Sequence, residues 1–202
     1  MAFINLPVLR KELKKGIASS DLRNVTAKLA KEVFQEEKNQ FLENFYSHPV
    51  SEEIKEGPLA PNISQTLDGN YGNLFSFIGF AEGSDPIGDL ARLLKEGIYL
   101  DPKLYALEDW ENGVIFKYKV NVLAVSDIEA ETPLPWEPGK SWVRGIERGI
   151  SGLGHYLYRE RGTRSRSGTG IQVEGNYRPY VRFNNTRYLS DLLNKFKKKL
   201  SE

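Results

Sequence analysis

Four arginines lie close together within eight residues of the chain. They are Arg159, Arg161, Arg164 and Arg166, interleaved with Ser165 and preceded by Tyr156 and Tyr158. Arginines beside aromatic rings can contact nucleic-acid phosphates and stack on bases. The same arginines can also contact an acidic surface of another subunit or of the same chain. The stretch matches no nucleic-acid motif, so we expect a contact between subunits and keep nucleic-acid binding as the alternative.

Glycines surround these arginines. Residues 155–170 end in GTRSRSGTG, a composition typical of a flexible loop or hairpin tip. Residues 149–154, GISGLG, resemble a nucleotide loop only superficially, because their spacing fits neither the dinucleotide pattern nor the Walker pattern. We therefore predict no bound cofactor.

Candidate catalytic groups are few. The acidic side chains of Glu108, Asp109 and Glu111 flank Trp110, as in a hydrolase that uses paired carboxylates, but a polar turn before the strand at Val114 explains them better. The two histidines, His48 and His155, have no local partner for acid–base work, and the chain has no cysteine. We predict neither an enzyme nor a metal site. If the protein is an enzyme after all, these residues are its candidate catalytic groups.

The composition is that of an ordinary globular protein. The chain has 202 residues, of which 40% are hydrophobic and 27% charged. No run approaches the ~18 apolar residues of a membrane helix, and the first residues lack the pattern of a secretory signal. We expect a protein that acts without a membrane.

The net charge of +1 hides a strong asymmetry along the chain. Residues 47–139 contain 6 basic and 16 acidic residues, whereas residues 140–187 contain 10 basic and 3 acidic residues. Such a chain can present an acidic and a basic surface, which suits head-to-tail packing of identical subunits.

Hydrophobic spacing predicts the main helices and strands. Apolar residues recur at three- and four-residue steps from Leu22 to Phe45, which predicts one long helix. Residues 114–125 alternate in polarity and predict a strand, with a partner strand in residues 98–107. The apolar residues Leu189, Leu192, Leu193, Phe196 and Leu200 predict a closing helix. The expected fold class is α+β: a long N-terminal helix, a mainly antiparallel β-sheet with a flexible hairpin, and a C-terminal helix packed on the sheet.

Residues 62–80, NISQTLDGNYGNLFSFIGF, pass abruptly from turn residues to a dense apolar run. We expect residues 74–80 to form a buried strand, with Asn70 and Tyr71 in a loop that reaches a neighbouring subunit. The predicted organisation is a single domain, residues 1–202. It contains a helical region (1–48), an extended loop (49–73) and a flexible loop (155–170).

The order of these parts resembles the neck and tail-completion proteins of tailed bacteriophages. The matching pieces are TAKLAKEVFQEEKNQFL, the junction GNLFSFIGF, the strand VIFKYKVNVLAV and the closing helix YLSDLLNKFKKKL. An acidic insertion at about residues 81–112 departs from the shorter tail-completion pattern. The resemblance covers most of the chain in order.

This resemblance implies a structural virion protein, such as a tail terminator or head–tail connector, made in the host bacterial cytoplasm. Such proteins form homo-oligomeric rings and contact other neck or tail proteins, such as the connector or tail tube. Genomic DNA passes through the lumen without sequence-specific binding. The residues expected at subunit contacts or near DNA are Asn70, Tyr71, Arg159, Arg161, Arg164 and Arg166. The alternative function is a nucleic-acid-associated protein that uses residues 159–166.

Overall fold

The computed structural model describes eight stretches of the chain. They are residues 2–9, 20–68, 72–110, 113–149, 155–159, 165–167, 170–174 and 182–201. The α+β class is confirmed, with a long N-terminal helix, antiparallel strand pairs and a C-terminal helix packed on the sheet. The chain divides into two compact units, and each is described by itself below. The expectation of a single domain stays a prediction.

Unit 1 comprises Met1–Glu43, Leu94–Leu123 and Leu192–Glu202. Its sheet contains β1 (Ala2–Leu9), β3 (Tyr99–Trp110) and β4 (Gly113–Asn121), in the order β1-β4-β3 with antiparallel neighbours. The two strands predicted around residues 98–107 and 114–125 are therefore confirmed. The buried face of β4 carries Phe116, Tyr118 and Val120, which alternate with half-buried residues as the period-two pattern requires.

Helix α1 (Ser20–Tyr46) confirms the predicted long helix, and its part up to Glu43 belongs to unit 1. The hydroxyl groups of Thr26 and Tyr118 form a buried hydrogen bond of 2.8 Å between α1 and β4. The C-terminal helix, α7 (Leu189–Ser201), brings Phe196 against Phe41 of α1, with the ring centroids 5.1 Å apart. Its predicted apolar stripe is buried, as expected for a helix that packs through one face.

Helix α4 (Pro86–Gly97) starts where the Asp85-Pro86 pair indicates, with the Asp85 carboxylate accepting a hydrogen bond from the Gly88 N–H. At its other end, the Lys38 ammonium donates to the carbonyls of Lys95 and Ile98, at 2.7 and 2.6 Å. A cation is favourable at a helix C-terminus. Partial burial lowers the pKa of Lys38.

The helical region predicted over residues 1–48 is wrong at its start. Ala2–Leu9 form strand β1, with Ala2 and Ile4 opposite Val120 and Tyr118 on the buried face. The alternation of buried and half-buried residues at Ala2, Phe3 and Ile4 is the signal of a strand, because successive side chains of a strand point to opposite faces. Residues 10–19 lie outside the described residues.

Unit 2 comprises Asn44–Leu93 and Ala124–Asp191. Its helices are α2 (Pro49–Glu56), α3 (Leu74–Ile78), α5 (Val125–Ala130) and α6 (Trp142–Arg148). Its strands are β2 (Leu67–Asp68), β5 (Pro133–Leu134), β6 (Glu137–Ser141), β7 (His155–Arg159), β8 (Gly170–Glu174) and β9 (Arg182–Phe183). They pair antiparallel as β2–β9, β5–β6 and β7–β8.

The extended loop predicted over residues 49–73 is wrong for its first half. Pro49 begins helix α2, and the Nδ1 atom of His48 caps it by accepting a hydrogen bond from the Val50 N–H. Proline is favoured at the first turn of a helix, where its missing N–H costs nothing. Val50 and Ile54 then bury one face of the helix, and a 3₁₀ turn follows at Gly57–Leu59.

The strand predicted at residues 74–80 is also wrong, although the predicted burial is confirmed. Leu74–Ile78 form helix α3, and all five residues are buried. Gly79 ends the helix with a left-handed φ of 82°, and the Trp136 ring lies 3.3 Å from where a side chain at this position would begin. A short apolar run does not distinguish a buried helix from a buried strand. The capping residues at its two ends, Asn73 and Gly79, are what favour the helix here.

Candidate subunit-contact surface

Helix α3 is held at its start by Asn73. The Asn73 Oδ1 atom accepts a hydrogen bond of 2.9 Å from the Ser76 N–H, which caps the helix. Its Nδ2 atom donates to the carbonyls of Gly57 and Ala60, at 3.2 and 2.9 Å. One buried side chain therefore fixes both α3 and the turn that follows α2.

The carboxylate of Glu53 makes a second buried connection. Its two oxygens accept hydrogen bonds from the N–H groups of Leu74 and Ser64, at 2.6 and 2.8 Å. Glu53 is fully buried, so these backbone donors replace the water that a carboxylate otherwise requires. The segment on either side of Asn70 and Tyr71 is thus anchored, although residues 69–71 themselves lie outside the described residues.

The predicted hairpin is present in unit 2. Strands β7 and β8 pair from His155 opposite Glu174 to Arg159 opposite Gly170, and the hairpin packs against α3. In the segment that connects β7 to β8, the Arg166 carbonyl accepts a hydrogen bond of 3.0 Å from the Glu82 N–H. Ser165 and Ser167 are buried on either side, whereas the Arg166 side chain is exposed. The described part of the loop is therefore fixed through its backbone and presents its cation to solvent.

The other predicted contact residues are less fully described. Arg159 ends strand β7, and only its backbone is described. Arg161, Arg164, Asn70 and Tyr71 lie outside the described residues. The structure therefore brings together the backbones of the hairpin, helix α3 and the Glu82 turn, with Arg166 as the described cation. The flexibility expected of residues 155–170 stays a prediction.

Most of the charge asymmetry falls in unit 2. Its residues 47–93 and 124–139 contain 2 basic and 11 acidic residues, and its residues 140–187 contain 10 basic and 3 acidic residues. Residues 94–123, which lie between the two acidic stretches, belong to unit 1. They contain 4 basic and 5 acidic residues and are close to neutral. Opposite charges are thus carried by different segments of unit 2. The two segments meet where Arg144 and Arg148 approach Glu129 and where Lys140 pairs with Glu137.

Helix α6 carries two exposed cations of the basic segment, residues 140–187. Arg144 and Arg148 lie one turn apart, with side chains 58% and 61% exposed, and each approaches Glu129 of α5 at 3.8 to 3.9 Å. The Glu129 side chain is 17% exposed, so these long contacts join a largely buried carboxylate to two exposed guanidinium groups. Arg144, Glu129 and Lys140 line a cavity of about 400 Å³ that opens to solvent. These charged residues of the cavity are not arranged as a nucleophile beside a base.

His48, Ser51 and Tyr188 form a closed polar cluster. The hydroxyl groups of Ser51 and Tyr188 are 2.6 Å apart, and the His48 ring lies 4.9 Å from the Tyr188 ring. Burial raises the pKa of Tyr188, the negative charge of Glu147 raises it further, and the hydrogen bond with Ser51 opposes them. Because Ser51 and Tyr188 are fully buried, a substrate cannot reach them, and the cluster supports packing.

The remaining catalytic candidates are only partly described. Glu108 forms a 2.6 Å ion pair with Lys117, Asp109 and Trp110 complete strand β3, and Glu111 lies outside the described residues. His155 begins strand β7. Within the described stretches, no three acidic, histidine or cysteine side chains are grouped as metal ligands. None of the described helices has both the length and the apolar character needed to cross a membrane.

Sequence reasoning missed Glu53 and Asn73, the two side chains that fix this surface. The stretch containing Glu52, Glu53 and Glu56 is predicted to be a solvated turn or short helix. The predicted short helix is confirmed, but the expected solvation of Glu53 is wrong, because this side chain is buried. Its spacing from Val50 and Ile54 places it on the buried stripe of α2, which was the available signal.

Comparisons with known proteins leave this surface without a parallel. The chain matches no family model, no curated protein and no solved structure. Its function must therefore be inferred from the charges and anchored segments described above.

Proposed function

We propose that this protein is a structural virion component of a tailed bacteriophage that forms a ring at the neck or tail end. Unit 2 supplies the charge pattern that such an assembly needs. A ring of identical subunits requires two different, complementary surfaces on each copy, because the contact is heterologous. An acidic and a basic region within one compact unit meet that requirement.

One observation carries the proposal: Arg166 is exposed on a segment whose backbone is fixed. The hydrogen bond from Glu82 N–H and the buried Ser165 and Ser167 hold the segment in place. A cation on a pre-ordered backbone loses less conformational entropy on binding than one on a free loop. Its partner in the proposed ring is the acidic region of the next subunit, for which Glu52 and Glu56 on α2 are exposed candidates.

The proposal is tested by exchanging charges between subunits. The basic region is reversed by Arg166→Glu with Arg187→Glu, and the acidic region by Glu52→Lys with Glu56→Lys; all four side chains are exposed. We expect the unaltered protein to form a closed oligomer by native mass spectrometry and electron microscopy. Each variant alone should be monomeric, because like charges then face one another.

An equimolar mixture of the two variants should recover the oligomer, since the reversed surfaces are again complementary. Lys28→Glu with Lys31→Glu, at exposed positions of α1, is the matched control and should leave assembly unchanged. A monomeric unaltered protein, combined with its absence from purified phage particles by mass spectrometry, would overturn the proposal.

A further inference from the structure

The face of the unit 1 sheet opposite the buried core is rich in aromatic and basic side chains. Residues directly opposite one another in a ladder lie on the same face, so Phe3 shares this face with Lys119, and Tyr99 shares it with Asn121. Tyr99 is 54% exposed and Tyr105 is 59% exposed. We call this surface, with Phe3, Tyr99, Tyr105, Lys117 and Lys119, the outer sheet face.

Phe3 and Tyr105 meet across the central strand. Their ring centroids are 4.9 Å apart with an interplanar angle of 46°, although β1 and β3 are separated by β4. A register shift between Leu104 and Ala106 leaves Tyr105 as an extra residue in β3, and bulges of this kind redirect a side chain. The two rings therefore form a preformed aromatic surface over β4.

Cations lie beside these rings. Lys119 is opposite Phe3, and Lys117 is opposite Ala106 next to Tyr105, so the lysines flank the aromatic pair along β4. Lys117 is paired with Glu108 at 2.6 Å, and both lysine side chains are half-buried. Unit 1 as a whole contains 16 basic and 12 acidic residues, whereas unit 2 contains 12 basic and 15 acidic residues. The excess of basic residues favours an anionic partner for unit 1 as a whole, and on the outer sheet face the cations are Lys117 and Lys119.

The geometry favours recognition through the face of the sheet over pairing at its edge. Strand β3 is an edge strand among the described strands, but it carries Pro102, the exposed Lys103 and two register shifts. These features oppose the addition of another strand. Two copies stacked through this face would bring Lys117 and Lys119 of both copies together, which disfavours self-association.

We propose that the outer sheet face binds single-stranded nucleic acid. Unpaired bases would stack on Phe3, Tyr105 and Tyr99, because every base offers a π-face to an aromatic ring. Lys119 and Lys117 would contact the phosphates between the stacked bases. This site consists of unit 1 residues, whereas the arginine hairpin belongs to unit 2, and its binding does not depend on ring formation.

The test is fluorescence anisotropy with a labelled oligothymidylate of about 12 nucleotides and a duplex of equal length. Tyr105→Ala should weaken single-strand binding about tenfold, whereas Tyr105→Phe should stay within about twofold, because stacking is retained. Lys119→Ala should reduce the slope of log K against log salt by about 0.7. Lys28→Ala, an exposed lysine of α1, is the control for charge alone.

Several outcomes would overturn the inference. The duplex could bind as tightly as the single strand, or a polyglutamate peptide could bind equally well, which would indicate a general anion surface. Loss of binding in Arg166→Ala with full binding in Tyr105→Ala would assign the activity to the hairpin instead. Circular dichroism melting of each variant separates loss of binding from loss of folding.

Discussion

The carboxylate of Glu53 and the backbone N–H of Leu74 lie 2.6 Å apart, which joins helix α2 to the first residue of helix α3. The other carboxylate oxygen accepts a hydrogen bond from the Ser64 N–H, so a single buried carboxylate holds both the middle of the segment between the two helices and its junction with α3. Burying a carboxylate is costly unless its own oxygen atoms accept hydrogen bonds. The side chains of Glu53 and Asn73 therefore both anchor the segment that contains Asn70 and Tyr71.

Replacing Glu53 should destabilise unit 2. In Glu53→Gln the side-chain nitrogen cannot accept a hydrogen bond, so one buried N–H loses its partner, at a cost of about 1–3 kcal/mol. Urea unfolding monitored by circular dichroism measures this loss. Glu52→Gln, at an exposed position one residue earlier, is the control and should stay within about 0.5 kcal/mol. Equal stabilities would contradict the anchoring role.

Phe75 is a core residue of α3 and should be expensive to truncate. It is 1% exposed and packs against Phe80, with the ring centroids 5.4 Å apart. Phe75→Ala removes this contact and leaves a cavity, at an expected cost of ~3–5 kcal/mol in the free energy of unfolding. Leu59→Ala, at a position 85% exposed, should cost little. A small effect at both positions would show that α3 is not part of the core.

Asn70 and Tyr71 should behave in the opposite way. We expect Asn70→Ala and Tyr71→Ala to leave the midpoint of urea unfolding unchanged and to shift the proposed oligomer towards monomer. Sedimentation velocity at several protein concentrations measures the second effect. Variants that unfold the monomer would contradict this prediction and make the two residues part of the folded core.

Tyr188 should make the stability of unit 2 fall at alkaline pH. Its raised pKa means that the fold favours the neutral phenol over the phenolate. The resulting stability is present below the unfolded value of 10.0 and is lost as the pH rises above it. Between about pH 8 and pH 11, the unaltered protein should therefore lose more stability than Tyr188→Phe. Tyr105→Phe, at an exposed position, should retain the full alkaline loss, as measured by guanidinium unfolding.

The elements predicted correctly are those whose periodicity is long and regular. Helix α1 runs for 27 residues and strand β4 for 9, so each repeats its pattern several times. The predicted apolar stripe of α7 is also complete, with all five of its residues buried. In β4 and α7 the local pattern and the packing agree, which is the condition under which sequence reasoning succeeds. In α1 the helix is predicted correctly, but Val25 and Leu29 of the apolar pattern are 64% and 46% exposed.

The errors fall where long-range contacts decide the outcome. Helix α3 has only five residues, and its identity depends on Asn73 and Gly79 at its ends. Strand β1 forms by pairing with β4, more than a hundred residues later in the sequence. The outer sheet face depends on a bulge at Tyr105 that no local pattern marks. Periodicity alone carries none of this information.

Unit 1 is assembled from three separate segments, which sets an order for events during synthesis. Strand β1 leaves the ribosome about a hundred residues before its partner β4, and Phe196 emerges long after Phe41. Domains that close through distant segments cannot complete their core until the last of those segments has been made. The apolar face of α1 must therefore remain without Phe196 until nearly the whole chain has been made.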